Sequence, residues 1–466
     1  MTSKARSSES RSPAARVTGD ASCCGETVEP IARREAGRTT SARGDALHRL
    51  QRDGYTYLPD HTNPANGLVL DSTRPDAPAS IAVVGFALGS YPVAVERGWC
   101  SRRQAAARTR ATLEFFRAAP QGTQPTATGH RGFYYHFLDP TTGVRHGTCE
   151  LSTIDTALLL AGALAAASYF DRPDPDEARI RVLAEELVAG PDWNWARDGG
   201  ATVTHGWRPE SGFLPHRWRG YDEALLLYLL GLGAPSHPLP EESYRAWTDS
   251  YRWRRVYGRE LLYAGPLFTH QYSHVWVDFR GIRDAYMRDR GIDYFENSRR
   301  ATLLHRDYAI RNPQSYAAYC RCCWGLTASD GPGPAVHSVG GREIRFHDYL
   351  ARGAPFGPDD GTVAPWAAVA SLPFAPEEVL ETVDHFHDLG LGTSCPYGFE
   401  ATFNATYPID GEDGEVWVSP WNYGLNQGPL VLMIENHRTG LLWELLRDSP
   451  LLRRGLRRAG FRGGWL

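Results

Sequence analysis

The chain has 466 residues, 42% of them hydrophobic and 22% charged, with a formal net charge of -4 at pH 7. That length allows one large toroid or two ordinary domains, and the balance is that of a soluble globular protein. The charge gives no reason to expect nucleic acid as a partner. Eight cysteines show no disulfide framework, and Cys320-Arg321-Cys322-Cys323 is too tight for paired zinc-ligand spacing, so neither metal nor cofactor is expected.

Residues 1–45 are rich in Ser, Ala, Arg and Gly and hold no apolar run of signal-peptide or membrane-span length. We expect a disordered tail there, a cytoplasmic location without membrane attachment, and a single domain over 46–466. From residue 80 the pattern is helical. Apolar periodic segments recur near 80–97, 102–117, 155–170, 176–189, 222–232, 242–257, 274–290, 293–309, 363–372, 376–388 and 428–447. Several carry helix-start chemistry, such as Ser152 three residues before Asp155, or Pro376-Glu377-Glu378. Strand-like pieces, Gly132 to Phe137 and Glu415 to Val418, are short and look like loop hairpins.

Connections alternate in length. Those near 98–101, 171–175 and 373–375 are short, while 118–150, 190–221, 258–273, 310–362 and 389–427 are long. Long loops on one rim and short turns on the other are what an all-α, (α/α)6 barrel produces, with function on the long-loop side. An α-solenoid is the alternative, but no unit of fixed period repeats.

Two of these loops end in acids at the start of an apolar helix. His216 to Glu223 contains Trp218, Tyr221 and Asp222 and runs directly into Ala224-Leu225-Leu226-Leu227. Glu150 to Asp155 runs into Thr156-Ala157-Leu158. A helix start favours a charged carboxylate, apolar packing disfavours it, and aromatic faces suit the C–H faces of pyranose rings. Glu223 is the candidate proton donor, with Asp155 or Glu150 opposite; glycoside cleavage needs two such carboxyls across the bond. Each has a plainer reading as a first-turn acid, and Asp155 fits a capping box.

The stretch Phe268 to Arg280 interleaves His270, Tyr272 and His274 with aromatics, as a wall for hydroxyls would. The two histidines stand four apart, but the glutamate of a zinc-protease motif is missing. Asp71 and Arg145 are further candidate sugar contacts. Fourteen Trp and twenty-two Tyr supply candidate stacking rings, among them Trp195, Trp218, Trp276, Trp324 and Trp421. No phosphate loop, nucleotide fingerprint or serine elbow appears.

Nine stretches in order carry a family resemblance. They are Asn63 to Val69, Gly132 to Phe137 (with Tyr135 and His136), Glu150 to Thr156, Gly220 to Ala224, Tyr263 to Phe268, Asp293 to Ser298, Trp324 to Gly331, Asp360 to Pro365, and Gln427 to Trp443. Together they resemble the glucoamylase-like family of bacterial endo-β-1,2-glucanases and the related domains of cyclic β-1,2-glucan synthases, over about 48–447. The resemblance implies an (α/α)6 barrel, a β-glucan oligo- or polysaccharide as partner, and metal-free hydrolysis or transfer at glucosidic bonds. It implies Glu223 as acid, with Glu150 and Asp155 lining the opposite side. Two departures stand out: Asn426 where members often carry Asp, and an unusual region from Pro332 to Pro358. A hydrolase of β-1,2-glucan is expected, with a retaining transglycosylase or a silent glucan-binding protein as alternatives.

Overall fold

In the computed structural model, which describes residues 40–409 and 416–466, the chain is mostly helical. The helices are α1 (Thr40–Asp60), α2 (Ile81–Glu96), α3 (Arg102–Ala118), α4 (Thr153–Tyr169) and α5 (Pro175–Val188). Then follow α6 (Leu225–Gly233), α7 (Glu241–Thr248), α8 (Tyr272–Trp276), α9 (Ala285–Arg290) and α10 (Tyr294–Arg311). The last are α11 (Pro365–Val369), α12 (Pro376–Asp388), α13 (Gly424–Arg438), α14 (Leu441–Arg447) and α15 (Pro450–Arg458).

The apolar content of each helix decides its layer. Helix α2 buries fourteen of its sixteen residues and α6 all nine, so neither has a face to give to water. These two, with α4, α8 and α13, form a closed circuit of contacts: α2 on α4, α4 on α6, α6 on α8, α8 on α13, and α13 back on α2. Amphipathic helices pack outside it, α1 on α13, α3 on α2 and α5, and α15 on α6. The α2–α4 crossing is the closest: a Cβ placed on Gly85 would lie 2.4 Å from the Leu158 carbonyl oxygen, and one on Gly162 2.0 Å from that of Gly85. Any larger residue would push the two helices apart.

Local chemistry explains where helices start and stop. Ser101 and Gln104 form a full capping box, Asp174 and Asp293 cap α5 and α10, and α12 begins at Pro376 as its sequence predicts. Three expected helices break. The 242–257 segment ends at Thr248 and turns into a hairpin, Trp253–Val256 against Arg259–Leu262, because Tyr257 and Gly258 both take positive φ (49° and 79°) as a tight two-residue turn requires. The 274–290 segment divides into α8 and α9, and 428–447 divides at Gly440 (φ 75°) into α13 and α14. Helix α1 starts at Thr40, inside the stretch expected to be tail; residues 1–39 lie outside the described residues. It is held by burying Leu47, Leu50, Tyr57 and Leu58 rather than by propensity.

The piece expected as a loop hairpin at 132–137 forms one with Gly129–His130 and goes further, as the second strand of a five-stranded antiparallel sheet. Its order is Gly129–His130, Phe133–Tyr135, Leu151–Ser152, Gly206–Arg208 and Gly212–Phe213. This sheet ties three distant loop segments together just before α4. Trp417–Val418 pairs with Phe403–Asn404, while Glu415 lies outside the described residues.

Candidate active site

The sheet delivers one group of acids. Strand Leu151–Ser152 pairs with Phe133–Tyr135 on one side and Gly206–Arg208 on the other, which places His136, Glu150 and Arg208 side by side. His136 Nδ1 stands 2.9 Å from Glu150 Oε1, and its Nε2 stands 3.7 Å from Asp155 Oδ2. Arg208 Nη2 is 3.7 Å from Glu150 Oε2. Gly206 permits this approach, since a Cβ there would lie 2.1 Å from the Leu151 carbonyl oxygen and 3.1 Å from Glu150 Cγ.

Asp155 does not complete a capping box. Ser152 caps α4 by accepting from the Asp155 backbone N–H, and its hydroxyl in turn donates to Asp155 Oδ2. The carboxyl is thereby aimed outward, beside His136, from the first turn of α4.

The electrostatics of this side are those of a charged cluster. A hydrogen bond from His136 holds the Glu150 carboxyl down at about 2, outweighing the cost of its partial burial. Burial alone would lower the His136 imidazole, but Asp155, Glu150 and Asp71 around it prevail and raise it to about 9. Asp71 is pushed up to about 6, chiefly by burial, with the Asp155 charge adding to it and His136 opposing.

Glu223 faces the same space from an apolar wall. Its backbone carbonyl accepts from Ser273 Oγ at 3.0 Å, and that hydroxyl accepts from the Leu226 N–H at 3.1 Å, which fixes the entry to α6. The helix begins two residues later than the sequence suggests, at Leu225, and Asp222 rather than Glu223 caps the Ala224 N–H, at 3.0 Å. Burial raises the Glu223 carboxyl to about 7, and the charge of Asp155 adds to the effect. Asp222 is raised as well, by burial first and by Glu223 second. Glu223 nevertheless keeps partial access to solvent.

Aromatic and hydroxyl groups frame the two sides. Trp218 stacks on His205 with ring centres 3.9 Å apart, and its indole donates to Thr153 Oγ1 at 3.1 Å, so the two acidic loops are tied to each other. Tyr221 stacks on Tyr294 and packs edge-on against Tyr251, which anchors the loop that carries Glu223 two residues later. Tyr272 lies beside Glu223, Asp155 and Asp71, whose charges raise its hydroxyl further after burial has done so. A cavity of about 700 Å³, lined in part by Arg217, Arg219, Tyr221, Ser250 and Arg252, adjoins the Glu223 loop; Glu223, Asp155, Glu150 and Asp71 do not line it.

Of the sequence candidates, the structure brings together Asp71, His136, Glu150, Asp155, Trp218, Tyr221, Asp222, Glu223 and Tyr272, with Trp421 on the rim beside Arg74. It does not bring seven others, His270, His274, Trp276, Trp324, Tyr135, Arg145 and Trp195. His270 and His274 are fully buried, the first with Nε2 near the Ala264 carbonyl and the second bonded to Ser298 Oγ at 3.0 Å. Burial lowers their imidazoles to about 4 and about 3. The expected hydroxyl-binding wall is therefore core at both histidines, because α8 and the turn before it lie within the helix circuit, and of the three polar candidates there only Tyr272 faces the acids. Trp276 and Trp324 have no exposed surface, and Trp276 stacks on Phe86. Tyr135 is sealed beneath Arg145, whose guanidinium lies 4.8 Å above its ring and pairs with Glu210. Half-buried Trp195 packs among His130, Trp207 and Phe213.

Sequence reasoning passed over His205, Arg208, Arg74, Asp330 and Tyr349. Arg208 and Arg74 carried no local signal, since only the sheet pairing and an ion pair across 256 positions place them. Asp330 stood in a quoted motif and could have been found there.

Residues 215–450, just over half of the chain, match the Glycoamylase family model, which describes glucoamylase-type proteins. The chain belongs to this glucoamylase-like family. A solved structure of a candidate glucoamylase from Bacteroides uniformis is 31% identical, covers 91% of this chain and 98% of its own, and superposes with a TM-score of 0.79. An endo-β-1,2-glucanase from Chitinophaga pinensis, solved with sophorotriose and glucose, is 26% identical over 91% of this chain and 99% of its own, also at 0.79. A Parabacteroides distasonis exo-β-1,2-glucooligosaccharide sophorohydrolase is 28% identical over 451 residues, 88% of this chain. This family member spans only 57% of that relative's length. Among the described residues no helix is long and apolar enough to cross a membrane.

Proposed function

We propose that this protein is a glycoside hydrolase that cleaves β-1,2-glucosidic bonds in a glucan, on an (α/α)6 barrel. The closed circuit of buried helices with amphipathic helices outside supports the barrel. One observation carries the chemistry: Glu223 is held near neutrality as an acid across from a cluster in which Glu150 stays ionised. Two carboxyls with opposite protonation are what cleavage of a glycosidic bond requires.

In this reading Glu223 gives its proton to the glucosidic oxygen as the bond breaks. Both oxygens of Glu150 are already engaged by His136 and Arg208, so its part is to orient the imidazole. Asp155 has one oxygen engaged by Ser152 and His136 and the other unassigned, which leaves it to deal with the water or the anomeric carbon. The linkage rests on the relatives that act on β-1,2-glucan and its oligosaccharides. Incubation with a panel of β-glucans, read by chromatography and anomeric NMR, tests it. Cleavage of the β-1,2-linked polymer alone is expected, and turnover of another linkage in its place refutes the assignment.

A further inference from the structure

The segments around 328–331 and 347–352 are built around a charge pair with no surface exposure. Arg352 and Asp360 are both fully buried and meet through two hydrogen bonds of 2.7 Å, from Arg352 Nε and Nη2 to the two carboxylate oxygens. The same guanidinium donates to the backbone carbonyls of Ser329 (2.8 Å), His347 (3.1 Å) and Asp348 (3.3 Å). Strands Ala328–Ser329 and Leu350–Ala351 pair directly beside it. Breaking such a pair is far costlier than never having had one, so the geometry it imposes is stiff.

Two side chains emerge from the segments so pinned. Asp330 is 4% exposed; it pairs with Arg74 at 3.1 Å and accepts from Ser419 Oγ at 2.9 Å. Arg74 in turn lies about 6 Å over the rings of Trp421 and Tyr423, three residues along from Asp71. Tyr349 is 59% exposed, among the most exposed large aromatics described, although backbone on either side of it is fixed. Its neighbour Leu350 pairs with Ser329, next to Asp330, and Asp330 is tied to Arg74 three residues from Asp71, which sets Tyr349 on the Asp71 side of the acids. Burial of its hydroxyl, and then the charges of Asp71, Glu223, Asp155 and Asp330, push that hydroxyl up. A large ring left in water on a rigid mount, above a carboxyl cluster, lacks a folding role and has the form of a stacking surface.

We propose that Tyr349, mounted by the Arg352–Asp360 pair, is a stacking platform for a glucosyl unit next to the scissile bond, with Arg74, held in place by Asp330, donating to the hydroxyls at its edge. This rests on the reading of the cleft as a β-glucan site. The ring covers the C–H face of the pyranose, and the half-exposed guanidinium supplies donors at its rim.

The test uses calorimetric titration of sophorotriose and longer β-1,2-glucooligosaccharides into the Glu223→Gln protein, which keeps the cleft but not the acid. Adding Tyr349→Ala is expected to weaken binding about tenfold, a change of about 1.4 kcal/mol. Tyr349→Phe is expected to restore most of that affinity, and in the active enzyme Tyr349→Ala should raise KM more than it lowers kcat. Unchanged affinity in the Tyr349→Ala protein overturns the inference while leaving the proposed activity standing. Absence of any binding to the Glu223→Gln parent, with no cleavage by the wild type, overturns the activity and the inference together. Arg352→Lys keeps the charge but cannot span both rows of carbonyls, and a similar loss of affinity is expected. Full affinity in a folded Arg352→Lys protein would remove the charge pair from the proposal; should that variant not fold, the Tyr349 pair still decides.

Discussion

The two walls of the cleft use the same functional group to opposite ends. On the sheet side, Glu150 is surrounded by cations and held ionised down to about pH 2. On the helix side, Glu223 sits at the head of nine buried residues and stays protonated up to about 7. Neither wall changes the carboxyl itself. The difference lies in what each loop is attached to: a sheet edge that delivers His136 and Arg208, or a buried apolar helix that takes water away from the carboxyl, with the charge of Asp155 adding to the effect. In the proposed reading, the apolar wall makes Glu223 the donor, while the charged wall keeps Glu150 ionised to orient His136 beside Asp155.

The sharpest way to break this comparison is at the donor. Glu223→Gln preserves size and fold but carries no transferable proton, and kcat should fall on the order of 10³-fold. Steady-state rates on β-1,2-glucan, with circular dichroism to verify the fold, measure it, and a rate within tenfold of wild type would remove Glu223 from the role. Next comes the counterpart. Asp155→Asn should lower kcat by on the order of 10²-fold, and Glu150→Gln by less, because Glu150 acts through His136. The reverse ranking in the same assay would exchange the two roles.

How far the sequence anticipates this site depends on how local each signal is. Glu223, Trp218, Tyr221 and Asp155 are legible because each lies at a loop–helix junction, where a few consecutive residues declare both the helix and the acid. The fully buried helices α2, α4 and α6 are legible for a similar reason. His270, His274 and Trp324 mislead because an aromatic, polar stretch reads alike in a cleft and in a large polar core; only the ring of packed helices tells which. Arg208, Arg74 and Tyr349 were invisible, since strand pairing and ion pairs between distant loops place them. The five-stranded sheet joins pieces of two and three residues, too short for any alternating pattern to announce.

The comparison also sets the pH profile. Glu223 must carry its proton to act, so kcat/KM should decline above about pH 7, approaching tenfold per unit. Burial is the larger cause of the raised value and the charge of Asp155 the smaller. The residual activity of Asp155→Asn should therefore show its alkaline limb at lower pH than wild type, though still above the ordinary glutamate value. A limb that does not move, followed with a soluble oligosaccharide over pH 5 to 9, would separate the two walls electrostatically.

The smallest effect is one of stability, and it isolates His136. Its imidazole is raised in the folded state to about 9 from an ordinary 6.5, so the fold holds a proton that the unfolded chain gives up. The stabilisation is fully present below 6.5 and is lost as pH rises through 9. Glu223, raised to about 7, is still titrating at neutrality, and Asp222 is raised as well, whereas Asp71 is raised only to about 6, so its contribution is complete by neutrality. The buried His270, His274 and His305 are lowered and likewise finish by then. His136 adds its own share to the slope of unfolding free energy between pH 7 and 9. Denaturant titrations should show wild-type stability falling more steeply across that window than that of His136→Gln; parallel slopes would mean that the sheet-side wall does not hold a charged imidazole.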